Sequence, residues 1–321
     1  MIVDRNLRWS VIFHYAWKSM LYYIILSIVV YLLHDYFEVM HLHLPFDTIS
    51  ALSTALAIFL GFKNNNAYDR WWEARKIWGL LVNYSRAWTR QVVTMIIATD
   101  PTDPEEAKAV KEFQKQMIYR HMGFVHALRV FLRRRHDYNE TKIREIYEEE
   151  NDYADARSFL APKEFQLFCH KNNPPNYLLE LQGEDLKRAY EKGWLSDFRF
   201  MKLEESLVEF NNIQGKSERI KNTPFPRQYS FFSRVFVFIH ASLLPFVFIE
   251  ELGWVSMPIS VIISFVFLCL DLVGERSEDP FENRLEDVPL TDISLTIETN
   301  VKEQWGNKDF PEKKRVEGVV F

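Results

Sequence analysis

Apolar and charged stretches alternate along the chain on the length scale of a bilayer. Windows at 20–33, 44–62, 235–249 and 254–270 are almost free of charge, whereas a strongly charged stretch runs from about 100 to 228. A helix needs roughly 20 predominantly apolar residues to cross a hydrocarbon core, with a range of about 17 to 25. The runs ending near Phe62, Ile249 and Val273 come close to that length. The first, "SMLYYIILSIVVYLLHDYF", is clean only from Met20 to Leu33; it spans if Trp17 and Tyr36 anchor at the interfaces and Lys18 snorkels. The last two runs meet at 250–253, which leaves room only for a very short turn. Helices buried in a soluble core are the alternative for each short run.

Basic residues collect on the cytoplasmic side of membrane spans. The segment "HDYFEVMHLHLP" after the first run and "EELGW" between the last two contain neither Lys nor Arg. The opposite flanks carry Arg5, Arg8 and Lys18, then Lys63, Arg70, Arg75 and Lys76, then Arg227 and Arg234, then Arg276 and Arg284. All four runs agree on one topology, a multi-pass protein of the inner (plasma) membrane with both termini and the middle segment cytoplasmic.

Beyond Arg70, apolar positions continue at helical spacing through Trp71, Ile77, Trp78, Leu81, Trp88, Val92 and Met95, so the second helix is expected to leave the membrane. "TDPTDPEE" at 99–106 stops it, and its acidic residues suit the start of the next helix, 107–135. The Asn/Asp/Glu-rich piece at 137–157 reads as surface, the proline pair in "HKNNPPNY" as a loop, and 184–221 as a last cytoplasmic helix. The expected organisation is therefore 1–98 with spans one and two, 99–228 cytosolic and helical, 229–274 with spans three and four, and a 275–321 tail. That tail, from about Thr291 to Phe321, either plugs or braces the rest.

Composition narrows the functional classes. The chain is 48% apolar and 15% aromatic with only 10 Gly among 321 residues, which fits an all-helical protein. A net charge of −5 supplies no basic field for nucleic acid. The two cysteines, Cys169 and Cys269, define neither a disulfide framework nor a zinc pattern. With no Gly-rich phosphate loop, nucleophile elbow or Cys-x-x-Cys, an enzyme reading lacks a site, and no cofactor is implied.

The candidate chemistry lies on the second helix. Thr54, Ile58 and Phe62 fall at i, i+4 and i+8 and share one face, with small or polar Ser50, Ser53, Ala55 and Ala57 around them. Such a face suits a pore wall whose apolar ring gates by excluding water; ordinary packing of membrane helices would use it equally well. Asn64, Asn65 and Asn66 either hydrate ions in a cavity below that ring or mark the membrane boundary. Arg70, Trp71 and Trp72 read as an interfacial belt with a cation–aromatic contact. His34, His41 and His43, near Asp35 and Glu38, fit a solvated mouth better than a metal site. Asp47, Glu250 and Glu251 are carboxylates near membrane depth, where such groups face a cavity, a partner or the interface.

Gly61-Phe62, seven residues and Arg70-Trp71-Trp72 match the signature of the bestrophins. "QGKSERIKNTPFPRQY" and "GERSEDPFENRLEDVPL" resemble further blocks of the bacterial and plant-organelle branch. The resemblance implies a homopentamer around one axial pathway, with four membrane helices per subunit and a large cytosolic helical region. Carried across by the Gly-Phe anchor, its neck residues are Thr54, Ile58 and Phe62, with Thr54 departing from the usual aliphatic residue. A second, cytosolic constriction is implied at Phe198, with Met201 the alternative. The calcium clasp of animal members needs an acidic run after Pro-Phe, which Pro280-Phe281-Glu282-Asn283-Arg284-Leu285 lacks, so calcium activation is not expected.

The expected function is a homopentameric channel passing chloride and other small anions passively, its partners being further copies of itself, the lipid bilayer and small inorganic ions. Lys63, just below the neck, favours anions; the acidic outer turn favours cations, which keeps a sodium or potassium channel open. A membrane-anchored scaffold is the rival from another class.

Overall fold

The computed structural model describes residues 9–38, 44–134 and 153–313. Among these every regular element is helical: α1 (Trp9–Tyr31), α2 (Phe46–Met95), α3 (Pro104–Arg133), α4 (Ala154–Arg157), α5 (Pro162–Cys169), α6 (Pro174–Glu191), α7 (Asp197–Asn222), α8 (Arg227–Leu252), α9 (Ser256–Ser277) and α10 (Leu290–Trp305). Arg5, Arg8, His41, His43, residues 135–152 and the tail beyond 313 lie outside the described residues. The chain divides into two compact units, Ile2–Trp71 with Pro224–Asp279, and Trp72–Thr223 with Pro280–Phe321, so the division falls inside α2.

The first unit holds α1, the first half of α2, α8 and α9. Among the described residues three stretches are long and apolar enough to cross a membrane: Phe13–Tyr36, Phe46–Met95 and Arg227–Ser277, the last containing both α8 and α9. α1 continues into a wider turn, Leu32–Tyr36, which carries the apolar stretch to Tyr36. The hinge between α8 and α9 is Gly253, at φ 50°, followed by one tight turn, Gly253–Val255; a side chain resists that conformation. On α9 the buried positions Ser256, Ser260, Ser264, Leu268, Asp271 and Gly274 form one stripe of mostly small residues, which lets neighbouring helices approach closely. Its other side exposes Ile262, Val266 and Val273. α8 is shared by the packing: Ala241 joins Ala16, Tyr23 and Leu268, Leu244 and Val247 cover Ile49, and Val237 meets Leu56 and Leu60.

The second unit is organised on α3, whose C-terminal half is buried on almost every side from Met117 to Val130. Asp103 caps its start, accepting from the Glu105 N–H at 2.9 Å, with Pro104 in the first turn. Trp88 and Phe210 meet edge to face across the core, with ring centroids 5.8 Å apart. α10 packs on α3, and the segment after it is tied back by Asn307 to Tyr119 at 2.9 Å and by Lys313 to Asp292 at 3.0 Å.

Three expectations for this unit need correction. The stretch 184–221 is not one helix: α6 ends at Glu191, where Gly193 at φ 75° lets its own N–H and that of Trp194 cap the carbonyls of Tyr190 and Ala189. The proline pair at 174–175 lies inside the first turn of α6, behind the Asn173 cap, where a proline loses no helical hydrogen bond. Residues 153–157 are not simply surface either. Tyr153 and Ala156 are buried, and Asp155 receives a hydrogen bond from buried Arg129 at 2.5 Å.

Candidate pore-lining face

At about 100° per residue, Thr54, Ile58 and Phe62 cover one arc of α2, and Leu56, Leu60, Lys63 and Ala67 cover the opposite arc. The structure separates the two arcs. Leu56, Leu60, Lys63 and Ala67 are buried, whereas Ile58 is 56% and Phe62 65% exposed and Thr54 is exposed with them. The Thr54 hydroxyl donates to the Ser50 carbonyl at 2.9 Å, so its donor is already used within the helix. What α2 presents outward is therefore a stripe of aliphatic and aromatic surface that the described residues leave exposed.

The asparagines divide. Asn65 and Asn66 are exposed, but the Asn64 amide turns inward and donates to the Leu270 carbonyl at 2.9 Å. A Cβ on Gly274 would lie only 2.3 Å from Asn64 Oδ1, so this approach of α2 to α9 requires glycine there.

Lys63 does not stand where the sequence reading places it. It is 1% exposed, and its ammonium donates to Asp271 Oδ1 at 2.7 Å and to Ser233 Oγ at 2.8 Å. Its charge is neutralised inside the subunit, because an ammonium in an apolar unit survives only beside a counter-charge. Lys63 therefore gives no preference for anions.

Asp271 went unnoticed in the sequence. Its signal was present: a lone carboxylate in "FLCLDLVG", an apolar run where an ionisable residue calls for a partner. Half-buried Ser53 meets buried His240, Oγ to Nε2 at 2.6 Å. Of the flagged carboxylates, Asp47, Glu250 and Glu251 are exposed. His34 pairs with Asp35 at 2.8 Å, and among the described residues no cluster of three or more His, Cys, Asp or Glu could hold a metal. Trp72 is exposed and Arg70 and Trp71 are half-buried, with Trp71 stacked on Tyr68.

In the second unit, Phe198 is 87% and Met201 62% exposed, both in the first turns of α7.

Long apolar helices with an uncovered apolar stripe define an all-α membrane protein. The chain belongs to the bacterial/fungal bestrophin family, whose model, described as "Bacterial/Fungal Bestrophin protein", matches residues 5–303. It is 31% identical over 290 residues to the voltage-dependent anion channel-forming protein YneE of Salmonella typhi, covering 90% of this chain and 86% of that one. The Escherichia coli K12 protein of the same name is 32% identical over 275 residues, covering 85% and 82%. A crystal structure of a bacterial bestrophin homologue from Klebsiella pneumoniae superposes with a TM-score of 0.78 at 28% identity, covering 90% of this chain and 98% of that one.

Proposed function

We propose that the chain is the subunit of a homopentameric channel of the plasma membrane that passes chloride and other small anions. Each subunit crosses four times, through α1, α2, α8 and α9, with both termini cytoplasmic. The observation that carries this reading is the outward face of Thr54, Ile58 and Phe62, left uncovered on a helix whose other side is fully packed. Five such faces around an axis make a narrow apolar neck that gates by excluding water. Asn65 and Asn66 follow as the wet vestibule below it, and Phe198 with Met201 as a second constriction. The names of the Salmonella and Escherichia coli relatives support anions as cargo.

A sodium or potassium channel of the same build is the second reading. The burial of Lys63 removes the cation nearest the neck from the pathway, while Asp47, Glu250 and Glu251 remain exposed. Purified protein in liposomes under asymmetric sodium chloride decides: the sign of the reversal potential separates the two, and absence of flux under any gradient refutes both. Cross-linking of the purified protein that stops at a species other than five subunits refutes the pentamer.

A further inference from the structure

The outward face of α2 is bracketed by two polar contacts to the helices behind it. At one end Ser53, next to Thr54, meets His240 of α8 at 2.6 Å. At the other, Lys63, next to Phe62, meets Asp271 of α9 at 2.7 Å and Ser233 of α8 at 2.8 Å, while Ser233 itself donates to Asp271 at 2.7 Å. Asn64 adds its bond to the Leu270 carbonyl. Between the two ends α2 meets its neighbours through apolar side chains, Leu56 and Leu60 against Val237 and Phe267, and Phe59 against Tyr229 and Phe236.

Apolar contacts hold a membrane helix close without strongly fixing its rotation, because lipid tails are as apolar as the neighbouring helix. Directional polar bonds in a low-dielectric interior do fix it. We infer that Ser53–His240 and Lys63–Asp271–Ser233 are positioning clamps that set the rotation of α2 and thereby aim Ile58 and Phe62 at the pore axis. The inference rests on the neck reading above. Its direction follows from the helix: turning α2 one way replaces Ile58 and Phe62 by Ala57 and Gly61, whereas turning it the other way keeps Phe62, which shares a face with Ala55, and draws Phe59 off its contacts with Tyr229 and Phe236. The aromatic contacts of Phe59 resist the second rotation, so releasing a clamp turns α2 toward Ala57 and Gly61, widens the neck and raises ion flow. Because the lysine points away from the ions, it leaves charge selectivity as it was.

The test compares the full-length channel and its variants in liposomes, reading flux and reversal potential. Lys63→Met/Asp271→Leu removes both charges together, so no unpaired ion remains, and is expected to raise flux at least tenfold at an unchanged reversal potential. Ser53→Ala and Ser233→Ala each delete a single hydroxyl and are expected to raise flux severalfold if the double variant fails to assemble. In a Phe62→Ala background the clamp variants are expected to add little, since their effect passes through Phe62; a merely structural defect would add in full. Wild-type flux in assembled clamp variants, or a reversal potential that moves with Lys63, overturns the proposal. If Ile58→Ala/Phe62→Ala raises flux while clamp variants do not, the clamps fall and the neck stands; if neither does, the neck falls with them.

Discussion

Phe62 and Lys63 are consecutive on α2 and face opposite ways: the phenyl ring is 65% exposed, and the ammonium is 1% exposed against Asp271. One peptide unit thus separates the surface offered to a pathway from the anchor that holds it. Truncating the offered surface is expected to enlarge unitary conductance or loosen gating. Ile58→Ala/Phe62→Ala, recorded in planar bilayers, should give larger or more persistent currents than wild type, and unchanged currents would remove the neck assignment. Thr54→Val, which keeps the branch and drops the hydroxyl already bonded to Ser50, should leave conductance within about twofold of wild type, since that hydroxyl offers its donor to the helix.

With Lys63 neutralised, the exposed carboxylates are the fixed charges expected to bias permeation through the proposed pore. Asp47 lies in the first turn of α2, and Glu250 and Glu251 lie at the end of α8. Fixed negative charge at a pore mouth raises local cation concentration and depletes anions, and salt screens the effect over about 10 Å at 0.1 M. Glu250→Gln/Glu251→Gln should move the reversal potential toward the chloride equilibrium value at low salt, with the shift shrinking as salt rises. A shift in the other direction would place these groups away from the mouth.

Legibility followed the kind of information each feature carries. α1, α2, α8 and α9 were readable because length and lack of charge are local; the i, i+4, i+8 spacing put Thr54, Ile58 and Phe62 on one face, and only the resemblance at Gly61-Phe62…Arg70-Trp71-Trp72 implied that this face is a neck. The break between α6 and α7 was missed because the surrounding residues are good helix formers and only Gly193 signals it. The Lys63–Asp271 pair was beyond reach for a different reason. Its members are 208 residues apart, and the period that puts Phe62 outward places Lys63 inward only once a packed side is known to exist. Asn64 failed in the same way, taken with Asn65 and Asn66 although 100° of rotation sets it against Leu270.

Buried and exposed ion pairs in the second unit should respond very differently to truncation. Asp185 is fully buried and accepts from Arg120, itself 3% exposed, and from Arg188. Removing one member of a buried pair costs about 3–5 kcal/mol because its partner is left uncompensated. Glu164, which also accepts from Arg120 at 2.6 Å, remains to share that charge. Asp185→Ala should therefore fall near the lower end, about 3 kcal/mol. Lys187→Ala, which breaks only the exposed 3.8 Å contact with Glu191, should cost at most about 1 kcal/mol. Denaturant unfolding of the detergent-solubilised protein measures both, and equal losses would contradict the buried assignment.

Two buried groups in the second unit give stability opposite pH slopes. Burial pushes the His121 imidazole, which contacts Ser85 at 2.9 Å, down to about 3, so it stays neutral in the fold while the unfolded chain protonates near 6.5. Its contribution is present above about 6.5 and is lost as pH falls toward 3. Burial pushes the Asp287 carboxyl up to about 7, with Glu282 and Glu286 adding to the rise and Arg284 and its N–H opposing it. That contribution is complete below the ordinary carboxylate value near 3.8 and is lost as pH rises through about 7. Between pH 5 and 6.5 the two slopes oppose each other, so the wild-type melting temperature should vary little there. His121→Gln should leave a protein that melts progressively lower as pH rises through this window, and Asp287→Asn one that melts progressively lower as pH falls. Melting curves of the three proteins in detergent across that range test the pair, and a slope of the wrong sign in either variant would show that its group does not titrate as its burial requires.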